Sequence, residues 1–277
     1  LAAQQKAAEE ARIAEAQKLA EHPPQENTIS GQHETAAVVS QDNDISGYTK
    51  SAKKGDALAQ YKLGQIYNEG NGVTRDYEEA ARWYKKSAKQ NNAMAQNALA
   101  SLYLKGQGVD KDYGDALKWY TRAAQLGFAE AQYNLGNFYF TGYGKEFRND
   151  YQLALQWYTK AADQGFAKAQ HSIGDMYYVG YGVQKDYQQA IAWYTKAAEQ
   201  GLAVAQNNLG AMYSEGQGVA RDYRQAYIWY WVAAKNGYRN AVKDRDESAA
   251  KLEASVLSKA QKDAASLLQK IGVATQK

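Results

Sequence analysis

Small and apolar residues recur along this chain at helical spacing, in the same order several times over. Ala59, Leu63 and Tyr67 stand four apart, which at about 100° per residue puts them on one side of a helix. A second stretch sets Ala190 three before Trp193 and Ala197 four beyond it, again on a single face. Glycine-rich breaks such as "GNGV", from Gly70, separate such stretches, because glycine adopts backbone angles that other residues resist. The pattern predicts pairs of short helices, A then B, joined by tight turns.

The pairs repeat. "DYEEAARWYKKSAKQN" begins at Asp76, and relatives begin at Asp112, Asp150, Asp186 and Asp222. Ahead of each lies an A block such as "AQYNLGNFYFTGYG" from Ala131. The aligned tryptophans are 83, 119, 157, 193 and 229, spaced 36, 38, 36 and 36, with "KEFRN" carrying the two extra residues. A fixed period of this size is the mark of a solenoid built from one two-helix unit. Asp76, Asp112, Asp186 and Asp222 are placed to cap the B helices. Gly127, Gly165, Gly201 and Gly237 are placed to end them in a left-handed conformation, with Asn91 in that role once. Small residues at Gly64, Ala100, Gly136, Gly174 and Gly210 let helices A and B approach closely. The recurring Trp-Tyr pair therefore reads as scaffold rather than as five stacking platforms.

The pattern A-x-A-Q-x-x-L-G-x-x-Y, then G-x-G-V, then D-Y-x-x-A-x-x-W-Y-x-K-A-A-x-x-G, resembles the Sel-one-like repeat family, a relative of tetratricopeptide repeats. The resemblance covers about residues 55–237. It implies an all-α fold: a right-handed α-solenoid of five full helix-turn-helix repeats. A partial repeat at 45–54 precedes them, within a solenoid spanning 45–237. It also implies an adaptor or scaffold between proteins. Many bacterial relatives are exported, and some act in envelope signalling or as immunity proteins against secreted toxins.

The flanks read differently. Residues 1–22 are rich in Ala, Glu, Gln and Lys and suit a helix or stalk, which Pro23-Pro24 ends. Residues 23–44 read as a polar linker. The chain begins with Leu1, which suggests a processed or trimmed form. Residues 238–277 return to helical spacing, with Leu252, Val256, Ala260, Ala264, Leu267 and Ile271 as inner positions. They read as capping helices over Tyr227 and Trp231, which are larger than their counterparts in earlier copies.

Composition narrows the chemistry. The 277 residues include only two Pro, as a helical chain requires. With no Cys, disulfides and thiolate sites are excluded. Net charge is +3, too weak to argue for nucleic acid. The longest strongly apolar run, Ala226–Ala234, is too short to span a bilayer. His22 and His33 fall in or beside the linker, and His171 stands alone on an A helix, so no metal or catalytic constellation emerges. Ser51 and Lys54 form S-x-x-K, but its companion motifs are missing. The expectation is a non-enzyme without cofactor.

Positions that vary between copies are free for recognition. One face of helix A varies, and in tetratricopeptide-like stacking that face lines the concave groove. It supplies Tyr61, Asn97, Glu130, Tyr133, Asn137, Phe140, Lys168, His171, Asp175 and Tyr178 as candidate partner-binding residues. Fifteen of the 23 Tyr belong to the repeat itself. Tyr61, Tyr133 and Tyr178 do not, nor do Tyr143 and Tyr181 in the "GYG" turns. Exposed tyrosines favour recognition. The expected function is a bacterial, envelope-associated or periplasmic adaptor that binds a protein in this groove. The alternatives are an immunity protein that neutralises a secreted toxin such as a lipase, a glycan-binding envelope protein, and a cytoplasmic location.

Overall fold

The computed structural model describes residues 45–274. The stalk expected at 1–22, the linker at 23–44 and both linker histidines lie outside the described residues. Those described are helical apart from turns and one isolated β-bridge. They form two compact units that divide between Asn149 and Asp150. The first unit holds α1 (Ile45–Lys53), α2 (Ala57–Glu69), α3 (Tyr77–Ala88), α4 (Ala93–Lys105), α5 (Tyr113–Gln125) and α6 (Ala129–Thr141). The second holds α7 (Tyr151–Asp163), α8 (Ala167–Val179), α9 (Tyr187–Glu199), α10 (Ala203–Glu215), α11 (Tyr223–Lys235), α12 (Ala241–Ala249) and α13 (Ala254–Ala274).

The helix ends follow the expected chemistry. A carboxylate oxygen of Asp76 accepts the Glu79 N–H at 2.9 Å, and Asp112, Asp150, Asp186 and Asp222 cap their helices in the same way. Asn91 has φ 61°, the left-handed conformation that its glycine counterparts adopt.

Helices A and B of one copy meet through a tyrosine ring laid on backbone. A Cβ on Gly64 would lie 2.6 Å from the Tyr84 ring, and Gly174 and Gly210 stand in the same relation to Tyr194 and Tyr230. These rings are buried, as is Tyr120, their counterpart in the second copy. Copies then meet through the second glycine of each turn. A Cβ on Gly108 would fall 2.1 Å from the Tyr77 backbone of the preceding copy, and Gly182 and Gly218 approach Tyr151 and Tyr187. In the third copy the longer turn folds back on itself. Tyr143 and Phe147 pair across a two-bond bridge, and the buried Phe147 packs 5.2 Å from Phe138.

The tryptophans are scaffold, with one difference in degree. Trp83, Trp119, Trp157 and Trp229 are buried, while Trp193 is half-buried. A cation three residues on covers the outer ring face in four copies: Lys86, Arg122, Lys160 and Lys196 lie 3.9, 4.9, 4.4 and 3.9 Å from the ring centroids. The fifth copy has Val232 there, fully buried and packed in one cluster with Trp229 and Ile271 of α13. Tyr227 and Ile228 are buried against Ala260 and Ala264, with Trp231 and Leu267 alongside. Arg224 pairs with Asp263 across the same seam. The last copy thus exchanges a hydrated cation for a covering helix.

The recurring glutamine of each A helix has a structural task. Gln60, Gln96, Gln132, Gln170 and Gln206 are buried, and each side-chain amide donates to a carbonyl eight residues earlier, at 2.9–3.3 Å. Those carbonyls end the preceding helix, where each also accepts the N–H three residues on. The glutamine oxygen is satisfied in turn by Gln90, Gln200 or Asn236, thirty residues on. Leu126 occupies that place in the second copy at 49% exposure, and the buried Gln96 Oε1 has no donor among the described residues. Leu126→Gln should therefore stabilise the chain by about 0.5–1.5 kcal/mol. A urea midpoint that stays put or falls would show that Gln96 needs no donor.

Candidate functional site

The varying A-helix faces border two separate hollows. In the first unit α2, α4 and α6 wall a polar hollow of about 380 Å³. Its sides include Tyr61, Gln65 and Asn68 from α2, Met94, Asn97 and Ser101 from α4, and Glu130 and Asn134 from α6. Tyr84 from α3 and Phe128 ahead of α6 complete the aromatic wall. Of the expected site residues, Tyr61, Asn97 and Glu130 are here. Tyr133, Asn137 and Phe140 are half-buried on α6 and stand outside this wall.

Asn97 departs from an open recognition residue. It is 8% exposed, and its side-chain oxygen accepts from Asn134 Nδ2 at 2.8 Å. The bond ties α4 to α6, so Asn97 serves the join between copies as well as the hollow. Tyr61 lies 5.9 Å from Tyr84, ring to ring. Burial pushes the Tyr61 hydroxyl up to about 12, and the charges of Glu130 and Glu69 add to the shift. It remains a neutral O–H at any physiological pH.

In the second unit a smaller hollow of about 190 Å³ is walled by Asp175, Tyr178, Tyr194, Asn208, Ala211 and Met212. Lys168 is exposed on the same helix as Asp175. His171 is the counterpart of Tyr61 and sits 5.4 Å from the Tyr194 ring. Asn208 Nδ2 approaches His171 Nε2 at 3.1 Å, repeating the Asn134–Asn97 join one unit on. An N–H donor at Nε2 requires a lone pair there, so the ring proton sits on Nδ1, 3.4 Å from Asp175 Oδ2. Tyr194 donates its hydroxyl to the other Asp175 oxygen at 2.7 Å.

Sequence reasoning missed the position one residue beyond the expected face. It holds Asn134 and Asn208, and their recurrence in two copies was the available signal. Tyr143 and Tyr181, in the "GYG" turns, also stood outside the repeat's own tyrosines. The structure stacks them on Tyr113 and Tyr151 of the preceding copy, at 5.1 and 4.9 Å. Ser51 and Lys54 sit at the end of α1, where the Ser51 carbonyl accepts the Lys54 N–H at 3.0 Å, an ordinary helix end. Among the described residues no group of three or more His, Asp or Glu could hold a metal ion. No described helix is long and apolar enough to cross a membrane.

Stacked two-helix units with a varying inner face define an α-helical repeat scaffold. The chain belongs to the Sel1 repeat family: the Sel1 repeat matches residues 57–92, 93–128, 129–166, 167–202 and 203–238. Such repeats form non-enzymatic scaffolds that commonly serve protein interaction. A protective antigen of uropathogenic Escherichia coli strains with this repeat fold is 39% identical, over 84% of this chain and 50% of that one, with a TM-score of 0.75. This chain therefore spans half the length of that protein. A Sel1 repeat protein of Oxalobacter formigenes is 34% identical over 80% of this chain and 92% of its own, with a TM-score of 0.69. The Pseudomonas aeruginosa immunity protein PA5088 shares the fold at 20% identity, covering 83% of this chain and 82% of that one, with a TM-score of 0.52. No functionally curated protein matches the chain.

The second unit carries a titration signal. Burial holds the His171 ring below its ordinary pKa of 6.5, against the opposing pull of Asp175. A histidine with a lowered folded pKa binds its proton more readily when unfolded. Stability is therefore constant above the unfolded pKa and falls as pH drops through and below it. His171→Gln should flatten the loss of stability between about pH 7.5 and about pH 5. An unchanged slope in urea titrations of this variant would place the acid sensitivity elsewhere.

Proposed function

We propose that this chain is a non-catalytic adaptor that holds another protein against the inner faces of its A helices. One observation carries the reading. The residues that recur are consumed by packing, whereas the hollows are walled largely by residues that vary. Tyr61 and Met94 have no counterpart in the repeat's own requirements, and yet they face space rather than core. Tyr178 does the same in the second unit. Aromatic and amide side chains around a hollow suit a polypeptide segment, since rings supply area and amides pair with peptide groups. On this reading the first unit's site includes Tyr61, Asn97 and Glu130, with Tyr133, Asn137 and Phe140 at its margin, and the second unit's includes Asp175 and Tyr178, with Lys168 and His171 beside them.

Within that reading the adaptor is bacterial and works at the envelope or in the periplasm. The likeness to a protective antigen supports this placement. The likeness to an immunity protein is one of fold, so neutralising a toxin adds nothing that this chain's residues select.

A photo-activated cross-linking residue placed at Gln65, Ser101 or Tyr178 tests the site. In the native cell, cross-links to one polypeptide should form at these positions and not at Glu78 on the exposed side of α3. Cross-links only at Glu78 would move recognition to the B-helix face.

A further inference from the structure

The first hollow points to the chemistry of its occupant. Two carboxylates and one ammonium face it: Glu69 at the end of α2, Glu130 at the start of α6, and Lys105 at the end of α4. The carboxylates come from copies one and three, yet both act on the Tyr61 hydroxyl between them. Glu69 acts on Tyr84 as well. Two acidic fields thus reach Tyr61, and one of them reaches Tyr84. The Tyr61 ring already draws a cation, since Lys62 Nζ lies 5.8 Å from its centroid. Lys62 is not part of the hollow's wall. Around this spot Gln65, Asn68 and Asn134 present amides, each able to donate and accept.

We infer that the first hollow receives a lysine or arginine side chain of an extended polypeptide segment, held between Glu69 and Glu130 beside Tyr61. The inference rests on the reading of the hollows as protein-binding sites and adds the charge of the occupant. The volume of about 380 Å³ suits one or two long side chains and excludes a folded domain. The amides serve the segment's peptide groups, and Lys105 disfavours a second adjacent cation. An acidic segment would bring like charge against Glu69 and Glu130, and a wholly apolar one would dehydrate both, with Asn71 Nδ2 the donor already on Glu69 Oε2.

The test uses the full chain and a random dodecapeptide library displayed on phage. Peptides that bind are compared by calorimetry on three proteins: the parent, a double variant with Glu69→Gln and Glu130→Gln, and Met94→Trp, which sets a larger ring in the hollow's wall. Both glutamates are exposed, so circular dichroism should show the double variant folded as the parent. The expected result is a Lys or Arg at a fixed place in the selected peptides. Affinity should fall at least about tenfold in the double variant and be lost in Met94→Trp. Peptides excluded by Met94→Trp but bound equally well by the double variant would overturn the cationic occupant and leave the protein-binding site standing. Peptides indifferent to Met94→Trp, or no enrichment at all, would overturn the hollow as a polypeptide site and the inference with it.

Discussion

The structure hangs on a tyrosine ring pressed against helix backbone. Where Gly64, Gly174 and Gly210 stand, a methyl group would enter the ring of Tyr84, Tyr194 or Tyr230. That contact sets the separation of helices A and B in each of these copies. It also buries a hydroxyl-bearing ring, and in the second unit the hydroxyl finds Asp175. Burying such a side chain is worth roughly 1.5–3 kcal/mol, and the sum over copies matters because each copy has only its neighbours to lean on.

Once that spacing is set, the remaining recurring residues have one task each. The glutamine of helix A ties off the carbonyls that end the previous helix. The second turn glycine lets one copy settle on the backbone of the copy before it. A lysine or arginine covers the outer face of the tryptophan while staying hydrated. At the last copy the cation gives way to Val232, and α13 supplies the cover. On the proposed reading, recognition falls to what is left, the varying side of helix A. Part of that side is used as well, for Asn134–Asn97 and Asn208–His171 join successive copies.

Much of this was legible in the chain itself. Helical periodicity, aspartate caps and glycine stops locate the helices, and Asn91 takes the left-handed conformation that its place in the repeat demands. Tyr227 and Trp231, larger than their counterparts in earlier copies, pack in one cluster with Ala260 and Ala264 of α13. Other features depend on contacts between copies, which periodicity does not encode. The donors to the oxygens of Gln60, Gln170 and Gln206 lie thirty residues away, so the gap left by Leu126 shows only in space. Tyr143 and Tyr181 looked spare in the repeat but stack on a tyrosine of the preceding copy. Asn97 lay on the varying face and is nearly buried. Phe147 belongs to an insertion with no counterpart to compare. The wall of each hollow likewise includes B-helix rings, Tyr84 and Tyr194, that the sequence assigns to the core.

The central claim is that packing and recognition use different residues of the same helices. The most direct measurement is a graft of one copy's inner face onto another. Leu58→Val, Tyr61→Asn, Gln65→Ala, Asn68→Ser, Met94→Val, Ser101→Ala and Leu104→Ser give the first two A helices the residues that the fifth copy carries at 204, 207, 211 and 214. The grafted chain should melt cooperatively within a few degrees of the parent, because no ring-on-backbone contact is touched, and should lose the partner that cross-links to Gln65. A graft that unfolds, or one that keeps its partner at full strength, would contradict the separation.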